Sequence, residues 1–340
     1  MTGQRKQATL ADVARLAQVS AMTVSRVIND PATVSVKTQN RVRQAMTQLN
    51  YRPNPIARGL ARGRSNTIGV VTFDTGQYGP GSTLLAIERA ARLRGYGLTL
   101  VVAENPDRVA VREAVMSLAD RLVDGLVVIA PFVDTFGALI DLGRDIPLVV
   151  AEAGNPAEAT VVGIDQVLGA RLATQHLLDL GHETVHHIAG PADWIESGLR
   201  ITGWREALSS AGRAAPPPEA GDWTPASGFA AGLLLADDPS VTAIFVANDQ
   251  MALGTLSALQ QRGRRVPEDV SVVGFDDTPE SAYYLPGLTT IHQDFSAMGE
   301  AAVDTLDRLV TAEGPVTPSV TLVSPTLVFR QSSGSAPAPQ

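Results

Sequence analysis

The sequence predicts a small all-α head followed by an α/β body of two doubly wound parallel-sheet lobes. Three observations carry this: a helical apolar period in the first fifty residues, short unbroken apolar runs alternating with helical stretches afterwards, and a reversal of charge between the two parts. Through residue 66 there are eleven Lys or Arg against Asp12 and Asp30, a net +9, while the remainder holds 16 basic and 33 acidic residues, a net −17. A basic head fused to an acidic body points to nucleic acid as the partner of the head. At 340 residues, 44% hydrophobic and 18% charged, the chain is long enough for two or three globular domains. There is no cysteine, which excludes disulfides, thiolate metal ligands and a cysteine nucleophile. No apolar run is long enough to span a membrane, and the N-terminal stretch lacks the apolar core of a secretion signal, so a cytoplasmic protein is expected.

In the head, Thr9 and Asp12 have the spacing of a capping box, and the helix behind them turns Leu10, Val13, Ala14 and Ala17 to one face. Residues 18–20 make a tight turn, with Ser20 placed to cap a second helix. That helix points Val24, Val27 and Ile28 inward and leaves Ala21, Met22, Thr23, Ser25, Arg26 and Asn29 facing out. Ser35 can cap a third helix whose buried stripe is Val42, Ala45, Met46 and Leu49. Two helices joined by so short a turn, the second with a polar outer face, describe a helix-turn-helix whose second helix enters the major groove. Arg26 can reach guanine acceptors or a phosphate, and Thr23 and Ser25 suit phosphate oxygens. Ala21 and Met22 offer only apolar contact, so base readout there is modest. After Pro53 and Pro55, residues 56–61 can form about one and a half turns of helix. Containing Gly59, it is unstable alone and orders only against a partner.

The body reads as IGVVTF, LTLVVAE, GLVVIAP and PLVVAEA, then VHHIAG, TAIFVAND and VSVVGFDD, runs suited to parallel strands buried on both faces. Helices are expected near residues 84–94, 166–180, 198–211, 225–235 and 251–262, so two lobes follow one another with a cleft at the carboxyl ends of their strands. At those ends stand Asn248, Asp276 and Glu152, with Arg200 at the start of a helix and Trp223 and Gln293 on loops. Planar amides, carboxylates and a guanidinium bridge adjacent hydroxyls, and an indole covers the apolar face of a pyranose, so this set binds a sugar. No acid and base pair flanks a scissile bond, and no enzyme is read here. GQYGPGST is read as a flexible loop at the cleft mouth. The stretch HETVH matches a zinc-protease pattern, but its surroundings form strand, not helix, so its two histidines stand apart and no metal or other cofactor is expected.

TLADVARLAQVSAMTVSRVIND, continued by VSVKTQNRVRQAMTQLNYRPNPIARGLARGRSNTIGVV, closely resembles the DNA-binding head of the LacI/GalR family of bacterial repressors, without a gap over some sixty residues. The resemblance implies that Leu10, Ser20, Ala21, Met22, Thr23, Ser25, Arg26, Asn29, Ser35, Thr38, Tyr51, Asn54, Ala57 and Leu60 sit at DNA-contacting positions. It further implies that the short helix is a hinge pairing with its twin from a second subunit, with Leu60 entering the minor groove. GDWTPASGF, FVANDQMALG, RVPEDVSVVGFDDT and LTTIHQDF carry the resemblance into the body, which becomes periplasmic-binding-protein-like, type I. Arg200, Trp223, Asn248, Asp276 and Gln293 then fall on effector positions, with Glu152 added from the first lobe. The first-lobe stretch FDTGQYGPGST departs from the pattern, leaving the sugar open between a galactoside and another β-linked disaccharide.

The organisation expected is a DNA-binding domain at 1–50, a hinge and linker at 51–66, a bilobed effector-binding and dimerisation domain at 67–330 and a disordered tail at 331–340. QSSGSAPAPQ carries no leucine heptad of the kind that joins dimers into tetramers, so a homodimer on a palindromic operator is expected. The rival reading is a sugar-binding receptor of a transport system, which shares the bilobed body.

Overall fold

The computed structural model describes residues 8–52, 64–73, 75–103, 108–121, 123–129, 132, 146–151, 159–314 and 316–338. The chain divides into two compact units, Met1–Asn66 and Thr67–Gln340. Asn54, Ala57, Leu60 and Glu152 lie outside the described residues, as does the short helix expected at 56–61.

In the first unit, α1 (Leu10–Ala17) starts at the Thr9/Asp12 capping box and ends at Gln18, whose φ of 51° turns the chain. Ser20 caps α2 (Ala21–Asn29) by accepting from the Thr23 amide, and Ser35 caps α3 (Val36–Gln48) by accepting from Thr38. These side chains satisfy amides that the first helical turn leaves without carbonyl partners. Val13, Ala14, Ala17, Val24, Val27, Val42 and Ala45 are buried between the three helices, with Leu10, Ile28, Met46, Leu49 and Tyr51 packed around them.

The second unit begins with β1 (Thr67–Thr72), followed by α4 (Tyr78–Leu93), β2 (Gly97–Val102), α5 (Arg108–Ala119), β3 (Gly125–Ile129), β4 (Leu148–Ala151) and β5 (Val161–Ile164). The second lobe then runs through α6 (Gln166–Asp179), β6 (His186–Ala189), α7 (Ile195–Ser210), β7 (Glu219–Ala220), α8 (Pro225–Ala236), β8 (Ala243–Val246), α9 (Asp249–Gln261), β9 (Ser271–Val273) and β10 (Thr290–His292). Last come α10 (Phe295–Thr311), β11 (Val320–Val323) and β12 (Thr326–Val328).

One parallel sheet has the order β11-β5-β4-β3-β1-β2 and the other β7-β6-β8-β9; β10 and β12 pair antiparallel. Side chains alternate across the first sheet. Ile68, Val70, Val127 and Ile129 pack with Ile87, Met298 and Leu306 on one face, while Val71, Leu126 and Val128 pack with Val111, Val115 and Leu118 on the other. In the second sheet, Ile188, Ile244, Val246 and Val272 join Leu235, Met251 and Leu259 on one face. Val185, Phe245 and Val273 join Leu177, Trp204 and Leu208 on the other.

Three expectations are corrected. The lobes do not simply follow one another: α10 packs on the first sheet and β11 extends it beside β5, so the chain passes between lobes at residues 164–166, 293–295 and 323–326. The stretch read as a flexible loop is helix from Tyr78. Pro80 is tolerated there because it stands in the first turn, where an amide has no helical acceptor anyway. Finally, residues 331–338 are not a disordered tail. Val272 donates to the Ser332 carbonyl (2.7 Å), Thr289 N–H donates to Ser332 Oγ (2.8 Å), Gly334 N–H to Ser271 Oγ (3.0 Å) and Ala336 N–H to the Leu180 carbonyl (2.9 Å). The open edge of β9 holds backbone groups that need partners, and the small residues of the tail let its backbone lie against them.

Candidate functional site

Two candidate sites emerge, one in each unit. In the head, Ala21, Met22, Ser25, Arg26 and Asn29 share one face of α2, opposite the buried Val24 and Val27. Met22 is 65% exposed, a large apolar side chain with nothing covering it in the head. Ser25 Oγ accepts from Asn29 Nδ2 (3.2 Å), and Ser20 Oγ and Thr23 Oγ1 are 2.9 Å apart. Ser35 Oγ donates to Thr38 Oγ1 (3.0 Å) at the start of α3. Neither α2 nor α3 has an acidic residue in its first turn, which leaves the positive ends of both helix dipoles available to an anion such as phosphate. Leu10 and Tyr51 are half-buried against the head core.

In the body, five of the six effector candidates, Arg200, Trp223, Asn248, Asp276 and Gln293, line a single cleft. The cleft encloses about 510 Å3 of empty space, a volume that includes its open mouth. Four of its side chains close a buried ring. Arg200 Nε donates to Gln166 Oε1 (2.9 Å), Gln166 Nε2 to Gln293 Oε1 (2.9 Å) and Gln293 Nε2 to Asp276 Oδ1 (2.7 Å), and Asp276 Oδ1 lies 3.6 Å from Arg200 Nη2. Arg200 also donates to the Ala247 carbonyl, and its guanidinium lies over the rings of Phe275 (3.8 Å) and Trp223 (5.4 Å). Asn248 caps α9 through its Oδ1, which accepts from Met251, and donates from Nδ2 to the Trp223 carbonyl (3.1 Å). The indole Nε1–H of Trp223 is buried and has no hydrogen-bond partner among the described residues.

The backbone around the cleft carries a cost. Trp223, Asp276 and Asp277 have φ of 71°, 113° and 55°, a region that side-chain-bearing residues seldom occupy and that costs about 1–3 kcal/mol each. Gly190 explains how the indole fits: a Cβ there would stand 2.1 Å from Trp223 Cη2. Burial pushes the Asp276 carboxyl up to about 6, opposed by the Arg200 charge and the bond from Gln293. Burial pushes Asp249, beneath the cleft, up to about 8, helped by the nearby Asp276 charge. His187, behind Arg200 and stacked on Phe245 at 4.7 Å, is pulled down to about 4 by burial, and its Nδ1 donates to the Phe245 carbonyl.

Residues 9–54 match the family described as bacterial regulatory proteins, lacI family. Residues 174–333 match a periplasmic binding protein-like domain. The lactose operon repressor of Escherichia coli K12 is 36% identical over 330 residues, covering 96% of this chain and 91% of that protein. The chain belongs to the lacI family. The repressor PurR of Haemophilus influenzae is also similar, at 34% identity over 96% of this chain and 98% of the relative. Among solved structures, the lac repressor dimer bound to operator and the anti-inducer ONPF superposes with a TM-score of 0.88, at 35% identity over 97% of this chain and 100% of that one. A complex of the regulator CelR with cellobiose superposes at 0.71, with 32% identity over 96% and 100% of the two chains.

In this lacI-family chain the sequence reading missed the first-lobe wall, Gln77 to Pro80, along with Gln166, Trp194, Glu196 and Phe295. Gln166 was legible as the first residue of an expected helix; that it would link Arg200 to Gln293 depends on the chain returning across the cleft. The HETVH residues serve the fold. His182 is buried with Nδ1 3.0 Å from Thr242 Oγ1 and Nε2 3.1 Å from Ser271 Oγ, while His186 begins β6. Glu183 is exposed, 3.9 Å from Arg213. Among the described residues no group of three His, Asp or Glu is placed to hold a metal ion, and no helix is long and apolar enough to cross a membrane.

Proposed function

We propose that this chain is a DNA-binding repressor whose operator affinity is controlled by an uncharged sugar, a galactoside or another β-linked disaccharide, acting as inducer from the cleft. The buried ring of Arg200, Gln166, Gln293 and Asp276 beside the indole of Trp223 carries this reading. Each member of the ring offers planar donors or acceptors at fixed angles, suited to neighbouring hydroxyls, and Trp223 adds an apolar face and a buried N–H that needs an acceptor. The similarity to the lactose operon repressor and to the CelR–cellobiose complex supports the same class of effector.

In the head, Ala21, Met22, Ser25, Arg26 and Asn29 would face the major groove. Ser20, Thr23, Ser35 and Thr38 would lie near phosphates at two helix starts, and Leu10, Tyr51, Asn54, Ala57 and Leu60 would complete the contact. A palindromic operator and two heads require a homodimer. Sugar shifts the repressor only by as much as it prefers the cleft in the operator-releasing state. Calorimetric titration of the full chain with lactose and cellobiose tests the effector class: saturable one-site binding of at least one is expected, and no heat from either across the millimolar range would remove the sugar reading.

A further inference from the structure

One wall of the cleft is built in a way the ring of polar groups does not require. Trp194 stands at the N-cap of α7, a position that favours a short polar side chain, and its indole makes no capping hydrogen bond. Half-buried on the cleft wall, it holds its ring 5.5 Å from that of Trp223 at 70°. Phe132 of the first lobe packs on Trp194 at 5.1 Å and 66°, the two residues forming an isolated antiparallel bridge, and Phe73 backs Phe132 at 5.8 Å. An indole at a helix start is thus braced from the opposite lobe.

Two indole planes inclined at 70° cannot both lie flat on one pyranose, because the faces of such a ring are parallel. The second plane is spare for a one-ring ligand and is placed for a second ring. The charges narrow the ligand further. Among the described lining residues Arg200 is the single cation, and its guanidinium already donates to Gln166 and to Ala247 and faces Asp276. No second cation stands among the described lining residues to neutralise a phosphate or carboxylate, so these walls suit an uncharged sugar.

We propose that Trp194, braced by Phe132, is the platform of a second subsite that takes the outer ring of an uncharged disaccharide. The proposal rests on the carbohydrate reading of the cleft and assigns its specificity. The outer ring covers a residue held by both lobes, so a disaccharide senses their approach in a way a monosaccharide does not.

Calorimetry on the full chain, using lactose, cellobiose, methyl β-D-galactoside, methyl β-D-glucoside and cellobiose 6-phosphate, tests it. Trp194→Ala is expected to weaken the disaccharide that binds about tenfold more than it weakens the matching methyl glycoside. Trp194→Phe is expected to retain most of the disaccharide affinity, and the phosphorylated probe to bind the unaltered chain more weakly than its parent. Thermal unfolding verifies that both variants are folded. Equal losses for one-ring and two-ring ligands, or no loss for either, overturn the subsite. Should no probe bind the unaltered chain, the carbohydrate reading itself falls and takes the subsite with it, a result distinct from sugar binding that Trp194→Ala leaves unchanged.

Discussion

Asp276 is buried, faces Arg200 and accepts from Gln293, and burial has raised its carboxyl to about 6. An acid raised in this way gains its proton as pH falls through about 6. The protonated group offers sugar hydroxyls a weaker acceptor and leaves Arg200 without its counter-charge. Sugar affinity should therefore hold between pH 7 and 8 and fall about tenfold per pH unit below about 6, where binding requires the ionised form. Asp276→Asn should bind sugar weakly at every pH, with the acid limb abolished; calorimetry from pH 5 to 8 shows both. Gly190 is the second residue on which the site turns. Gly190→Ala would place a methyl against the Trp223 ring and displace the indole, so its sugar affinity should drop at least tenfold with operator binding in the absence of sugar preserved. Parallel titrations with sugar and with DNA separate the two effects.

At the scale of elements, what was legible followed from local rules. The Thr9/Asp12 box, the Ser20 and Ser35 caps and the apolar stripes of α1 to α3 are written in neighbouring residues, and they form as read. Strands β1, β3, β4 and β8 are buried on both faces and are unbroken apolar runs in the sequence. What escaped depends on distant partners. The return of α10 and β11 to the first lobe is decided by packing against α4 and pairing with β5, far back in the chain. The apparent loop GQYGPGST, residues 76–83, places Gly79 and Pro80 at a helix start that tolerates them, so composition misleads there. The tail lacks any period, and the β9 edge that orders it lies some sixty residues earlier. Cutting the chain after Arg330 removes partners from the amides of Val272 and Thr289, each buried group left bare costing about 1–3 kcal/mol. A lower unfolding temperature and faster hydrogen exchange at these two amides are expected. At the other end, Ser20→Ala should cost the head about 1 kcal/mol and weaken operator binding, readable by thermal melts and anisotropy.

At the scale of the whole molecule, charge and family agree on a division of labour. The net +9 head supplies the electrostatic grip on DNA, and the acidic body keeps that grip confined to the head. Operator affinity should fall steeply with salt, with a slope of about −0.9 per phosphate neutralised, and Arg26→Ala should shallow it. The candidate effector cleft lies within the second unit and the candidate DNA-contacting residues within the first, so the proposed control requires that occupancy of one alter the affinity of the other. Lobes joined by three crossings and bridged by Phe132 and Trp194 would give the proposed sugar two surfaces to hold together. The most direct measurement is fluorescence anisotropy of a labelled operator fragment, selected from genomic DNA by the full chain, titrated with the disaccharide that calorimetry identifies. Release of the fragment as the cleft saturates, with a midpoint that tracks cleft occupancy, is the result expected; an operator affinity unmoved at full occupancy would contradict it.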